Sequence, residues 1–189
     1  MKQFFLQFIF CLYGFLALSQ NNPEPILILW NEQKPLTWEN FRGEVKEDEI
    51  IGDAETVYSI EIIPTDILVD EDDNIVNYED LSVATYFHTD RSWVYDRNTQ
   101  LLKYQRLKFD IAELHARLMR KEFQKLKDYK TTGFNDYQRV YTVYWNKCRE
   151  MQRESNSDTH RGLNADALVT WEDKVYAELQ LLEAYSLHP

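Results

Sequence analysis

Between Leu101 and Lys127 the chain contains no Gly or Pro, and Leu107, Ile111, Leu114 and Leu118 recur at helical spacing. Apolar residues three and four apart form one stripe on a helix, so this stretch predicts a long helix capped by Asn98 or Thr99. Thr131-Thr132-Gly133 interrupts the pattern, and a second helix is expected from Asp136 to about Glu154. Ser155 to Gly162 reads as a polar connection. A third helix is expected from about Asn164 to Tyr185, with Leu168, Trp171, Val175, Leu179 and Leu182 on one face.

The first half of the chain has another period. Ile26 to Trp30 is an apolar run of strand length, and Thr56 to Ile63 alternates apolar with polar residues, the mark of a half-buried strand. Ile67-Leu68-Val69 resumes after Pro64 and ends at the acidic turn Asp70 to Asn74. Val83 to Phe87 reads as a further strand and Ser92 to Tyr95 as a short extended piece. N-terminal antiparallel strands followed by three helices predict an α+β domain. No internal repeat is visible.

Residues 1–19 stand apart. Lys2 supplies a positive charge, Phe4 to Leu18 is apolar but for Gln7 and Gly14, and Ala17-Leu18-Ser19 supplies small residues at the −3 and −1 positions of a cleavage site. The run is shorter than the roughly 20 residues of a spanning helix. The expectation is a cleaved signal peptide, residues 1–19, then a single exported domain, residues 20–189, in the periplasm or outside the cell, without stable membrane insertion. Cys11 lies inside the apolar run, so only Cys148 survives cleavage and no intrachain disulfide can form. The whole chain carries 21 basic and 32 acidic residues, a net charge of −11. No basic patch offsets this, so nucleic acid is not an expected partner. Aromatic residues at 14% argue against disorder.

Glycine-rich phosphate loops and the G-x-S-x-G nucleophile motif are missing. Asp70-x-Asp72-x-Asn74 begins like a calcium loop, but Ile75 and Leu81 stand where an EF-hand needs Gly and Glu, so a solvated hairpin turn is expected. Cys148, beside Trp145 and Met151, reads as a partly buried helix residue rather than a nucleophile.

The most informative stretch is Leu101-Leu102-Lys103-Tyr104-Gln105-Arg106-Leu107-Lys108-Phe109-Asp110-Ile111-Ala112-Glu113-Leu114. Leu36-Thr37-Trp38-Glu39-Asn40-Phe41-Arg42-Gly43 and Ser92-Trp93-Val94 precede it, and Glu150-Met151-Gln152 and Asp158-Thr159-His160-Arg161-Gly162 follow. In this order, over most of residues 30–180, the segments resemble a family of bacterial secreted proteins of unknown function described as putative zinc-dependent proteases. That family's helix has the form L-L-x-H-E-x-x-H-F-D-I-A-E-L. The resemblance implies a metalloprotease-like fold in which two helix imidazoles and a third from the segment before Gly162 bind zinc, with a glutamate as general base.

This chain departs from that pattern at each chemical position. Tyr104, Gln105 and Lys108 replace His, Glu and His, and Arg161 stands at the third ligand unless the loop shifts to offer His160. A glutamine takes no proton, and lysine and arginine repel a dication. His115 shares the helix face of Lys108, but its neighbours at helical spacing (Ile111, Ala112, Leu118 and Met119) are not ligands. His115 is therefore expected on the helix surface and His160 in a loop. His88 falls in a strand and His188 at the chain's end. The resemblance thus implies a pseudoenzyme-type binding or scaffolding module with no metal and no cofactor, whose partner is a peptide or an envelope protein. Tyr104, Lys108, His115, Glu154, Asp158, His160 and Arg161 are the candidate cleft residues. The alternative is an active hydrolase rebuilt around His160, Glu154 and Asp158, with Glu113 as a further candidate; a purely structural envelope protein is the third reading. If Lys108 and Arg161 converge they need compensation, and Glu154 or Asp158 is the expected partner.

Overall fold

The computed structural model describes residues 25–45 and 52–187. The expected signal peptide, Cys11 and His188 lie outside them. The chain forms β1 (Leu27–Leu29), β2 (Ala54–Glu55), β3 (Tyr58–Ile63), β4 (Ser82–His88), β5 (Trp93–Val94), then α1 (Thr99–Asp128), α2 (Phe134–Asp158) and α3 (Ala165–Leu181). The class is α+β.

β4 is the centre of a three-stranded antiparallel sheet, with β1 on one side and β3 on the other. Leu29 faces Tyr86 across the first pairing and Ile60 faces Thr85 across the second. Alternation places Val83, Thr85 and Phe87 on one face of β4, and all three are buried. The strand expected from Thr56 begins only at Tyr58. Before it, β2 pairs with β5, Glu55 facing Trp93, and Thr56 turns its hydroxyl to the Gln105 carbonyl at 3.2 Å. The acidic turn is a tight hairpin: Asp70 Oδ1 accepts the backbone N–H groups of Asp72 and Asn74, each at 2.9 Å.

α1 is about 45 Å long and begins where expected, Asn98 Oδ1 accepting the Leu101 N–H at 2.8 Å. Every residue from Ile111 to Arg117 is buried. A helix buried on all sides is enclosed by its neighbours, here the sheet, α2 and α3. The enclosure takes in charged residues that the apolar stripe did not reveal. Glu113 accepts from Thr85 Oγ1 at 2.9 Å, from Arg117 Nε at 3.1 Å and from Arg120 Nη2. Arg117 Nη1 donates to the Leu179 carbonyl at 2.7 Å and Arg120 Nη1 to the Val83 carbonyl at 2.8 Å. One carboxylate thereby joins α1 to the sheet and, through Arg117, to the end of α3.

A second cluster packs the Leu36–Gly43 segment onto the sheet and α1. Trp38 meets Phe41 and Phe41 meets Phe87 edge to face, both at 5.0 Å, and Phe87 meets Phe109 at 5.8 Å. Gly43 ends the segment where a Cβ would fall 2.9 Å from the Ser92 carbonyl oxygen and the Arg91 carbonyl carbon, so only glycine fits.

α2 runs four residues beyond the expected Glu154. Its last turn is polar, yet Ser155 is fully buried and its hydroxyl donates to the Gln152 carbonyl at 3.1 Å. Thr159 Oγ1 then donates to the Ser155 carbonyl at 2.6 Å. Local side-chain bonds satisfy a turn whose composition reads as loop. α3 starts with Asn164 Oδ1 accepting the Ala167 N–H at 3.2 Å and ends at Leu181, short of the expected Tyr185, because residues 183–185 tighten into a 3₁₀ turn.

Candidate functional site

The polypeptide after α2 makes a tight corner in left-handed backbone, with φ values of 49° at His160, 58° at Arg161 and 86° at Gly162. Arg161 N–H bonds the Asn156 carbonyl at 3.0 Å and Asn164 N–H the Thr159 carbonyl at 2.8 Å, closing the corner on the helix end. Gln100 Nε2 reaches from the first turn of α1 to the Gly162 carbonyl. A cleft of about 780 Å³ opens between this corner, the first turns of α1, the end of α2 and residues 52–55.

Tyr104, Gln105, Lys108, His160 and Arg161 all line this cleft. Tyr104 donates its hydroxyl to Asn156 Oδ1 at 2.9 Å. Burial pushes its phenol up to about 12, against the pull of Arg161, so a metal-binding phenolate does not form near neutrality. Gln105 is 1% exposed and donates Nε2 to the Ala54 carbonyl at 3.2 Å. Its Oε1 has no hydrogen-bond partner. Burial lowers the Lys108 ammonium, the negative charge of Glu55 opposes the shift, and Arg161 adds to it. The carboxylate nearest in effect to Lys108 thus comes from β2. Neither Glu154 nor Asp158 ion-pairs with Lys108 or Arg161.

The other candidates lie elsewhere. Glu154 is exposed and outside the cleft lining. Asp158 Oδ2 accepts from Trp171 Nε1 at 3.1 Å and holds α2 to α3. His115 is buried, not on the surface: it is 5% exposed and its Nδ1 donates to the Ile111 carbonyl at 2.8 Å. The enclosure of α1 explains this, and burial also lowers its basicity. Glu113 belongs to the buried arginine network. Cys148 is fully rather than partly buried, its thiol pushed up to about 11 by burial.

The sequence reading missed Gln152. It lies on α2 in the cleft wall, donates Nε2 to the Lys108 carbonyl at 2.6 Å, and leaves Oε1 unpartnered. Missed too was Asp110, beneath a second cleft of about 330 Å³ beside Trp30 and Glu172. Its carboxyl is pushed up to about 6 by burial, against a 2.8 Å hydrogen bond from Trp30 Nε1.

A zinc site of the kind the resemblance implies does not fit the residues present. Tyr104, Gln105, Lys108 and Arg161 offer a neutral phenol, an amide and two cations, and no three His, Cys, Asp or Glu among the described residues are grouped to hold a metal ion. No described helix is long and apolar enough to cross a membrane. No family model, curated protein or solved structure matches this chain.

Proposed function

We propose that this chain is an exported binding module that uses the 780 Å³ cleft to hold a peptide or the exposed end of an envelope protein, and that it does no zinc chemistry. The observation that supports this reading most directly is Lys108. A half-buried ammonium on the cleft wall repels the dication a peptidase of the resembled family would need, yet leaves the cleft open and suited to an anionic or polar ligand. The rebuilt hydrolase finds less support, because of its three candidates only His160 lines the cleft.

The test joins binding to turnover. The chain, labelled with ¹⁵N, is incubated with a pool of short peptides and zinc. The reading expects amide shifts at residues 100–108 and 152–163, unchanged peptide masses, and zinc retained at well under one equivalent after dialysis. Hydrolysis of the pool, or shifts elsewhere only, would overturn it.

A further inference from the structure

Gln105 and Gln152 line the cleft, and behind its wall the side-chain oxygen of each lacks a donor. Gln105 Oε1 and Gln152 Oε1 are both hidden from solvent and have no hydrogen-bond partner among the described residues. Their amide nitrogens are committed, Gln105's to the Ala54 carbonyl and Gln152's to the Lys108 carbonyl, and the Gln152 side chain also meets Tyr58 and Cys148. These bonds hold the carbonyl ends in place on facing helices, α1 and α2. Buried polar atoms in folded proteins are nearly always paired, and an unpaired one needs a reason.

The second observation is charge. In a chain of net charge −11, this cleft is lined by Lys108, Arg153 and Arg161 against Asp53 and Glu55. No carboxylate lies within ion-pair distance of Lys108 among the described residues, although burial disfavours its charge. Two waiting acceptors and a small surplus of cations call for a ligand with both an anionic group and N–H donors.

We infer that the cleft binds the carboxylate end of a peptide, the terminal carboxylate lying against Lys108 and Arg161 and the adjoining amide N–H groups donating to Gln105 Oε1 and Gln152 Oε1. This rests on the binding-module reading and specifies its ligand. An inorganic phosphate or sulfate would satisfy the cations but bring chiefly acceptors to the two amide oxygens. A dianion would also meet Asp53 and Glu55 at the rim. A peptide end carries one negative charge, its N–H groups follow along the backbone, and the volume matches a ligand of a few residues.

N-acetyl-trialanine is the probe, titrated as free acid, as C-terminal amide, and as free acid with the last peptide nitrogen methylated, with ¹⁵N shifts of the cleft residues as readout. The amide and the N-methyl peptide are each expected to bind about tenfold weaker than the acid. Lys108→Met should weaken the acid to the level of the amide and leave the amide unchanged, and its thermal melt shows whether it is folded. Equal binding of acid and amide would overturn the carboxylate assignment and leave the cleft reading standing. Equal binding of the N-methyl peptide would overturn the role of the glutamine acceptors. If none of the three shifts the cleft amides at millimolar concentration, while the pool of the previous test does, the peptide-end inference falls alone; if neither does, both fall.

Discussion

Gly162 lies so close to Tyr104 that a Cβ added to the glycine would stand 2.7 Å from the tyrosine Cβ. The contact seats the α2–α3 corner on the start of α1 and sets the spacing of the cleft walls. Because Tyr104 is buried and bonded to Asn156, it has little room to retreat.

Gly162→Ala should therefore destabilise on two counts. The methyl overpacks a tight contact, which costs about 1–3 kcal/mol, and it sits at a φ of 86° that an L side chain rarely adopts. Urea denaturation should show a loss of about 2–4 kcal/mol, the sum of these two penalties. A change below about 0.5 kcal/mol, the scale of a neutral surface substitution, would mean the corner is free to move.

Lys108→Met should raise stability while weakening the binding of a peptide carboxylate. Burial holds the folded ammonium below its usual basicity, so the folded state binds its proton more weakly than the unfolded chain does. The penalty is complete below the folded pKa and fades as pH rises toward the unfolded value of about 10.4. At pH 7 the variant should gain about 1 kcal/mol, and the gain should shrink as the buffer turns alkaline. A loss at pH 7 would mean the ammonium has a stabilising partner in solution.

Asp110 gives the opposite pH signature. Its carboxyl, pushed up to about 6, holds its proton in the folded state at pH values where the unfolded chain, near 3.9, has already released it. Stability therefore falls as pH climbs from about 4 through 6. Asp110→Asn removes the charge and keeps an acceptor for Trp30 Nε1. Thermal melts should place the variant level with the parent at pH 4 and above it at pH 7.5, by about 1–3 kcal/mol. A pH-independent difference would refute the assignment.

Glu113→Ala should be the most damaging of these changes. It leaves the Arg117 and Arg120 guanidiniums buried without their shared carboxylate, a loss of about 3–5 kcal/mol. Glu113→Gln keeps acceptors but not charge and should cost less. Equal effects of the two, by denaturant titration, would show that the ion pairs contribute nothing beyond hydrogen bonds.

Arg161→Gly separates conformation from function. Arg161 holds a left-handed φ of 58°, which costs a non-glycine residue about 1 kcal/mol. The glycine variant should be as stable as the parent or more so, yet lose affinity for a peptide carboxylate. Loss of stability would show that the side chain also braces the corner.

Hydrophobic period alone determined a good part of this protein. It separated a strand-forming half from a helical half and, with Asn98 and Thr99 as the cap candidates, placed the start of α1. Such features depend on neighbours in the chain, and local sequence carries them. The tertiary structure decided the rest. Helical spacing put His115 and Lys108 on one face, but from Ile111 to Arg117 α1 is covered on every side. Its polar residues were therefore sorted by what packs over each turn: His115 into the core, Glu113 into the arginine network, and Lys108 into the cleft. Gln105 and Gln152 lie 47 residues apart and became one pair of unpartnered acceptors only when α2 folded back along α1. Periodicity reports which face of a helix is apolar; it carries no information about which distant segment covers the others.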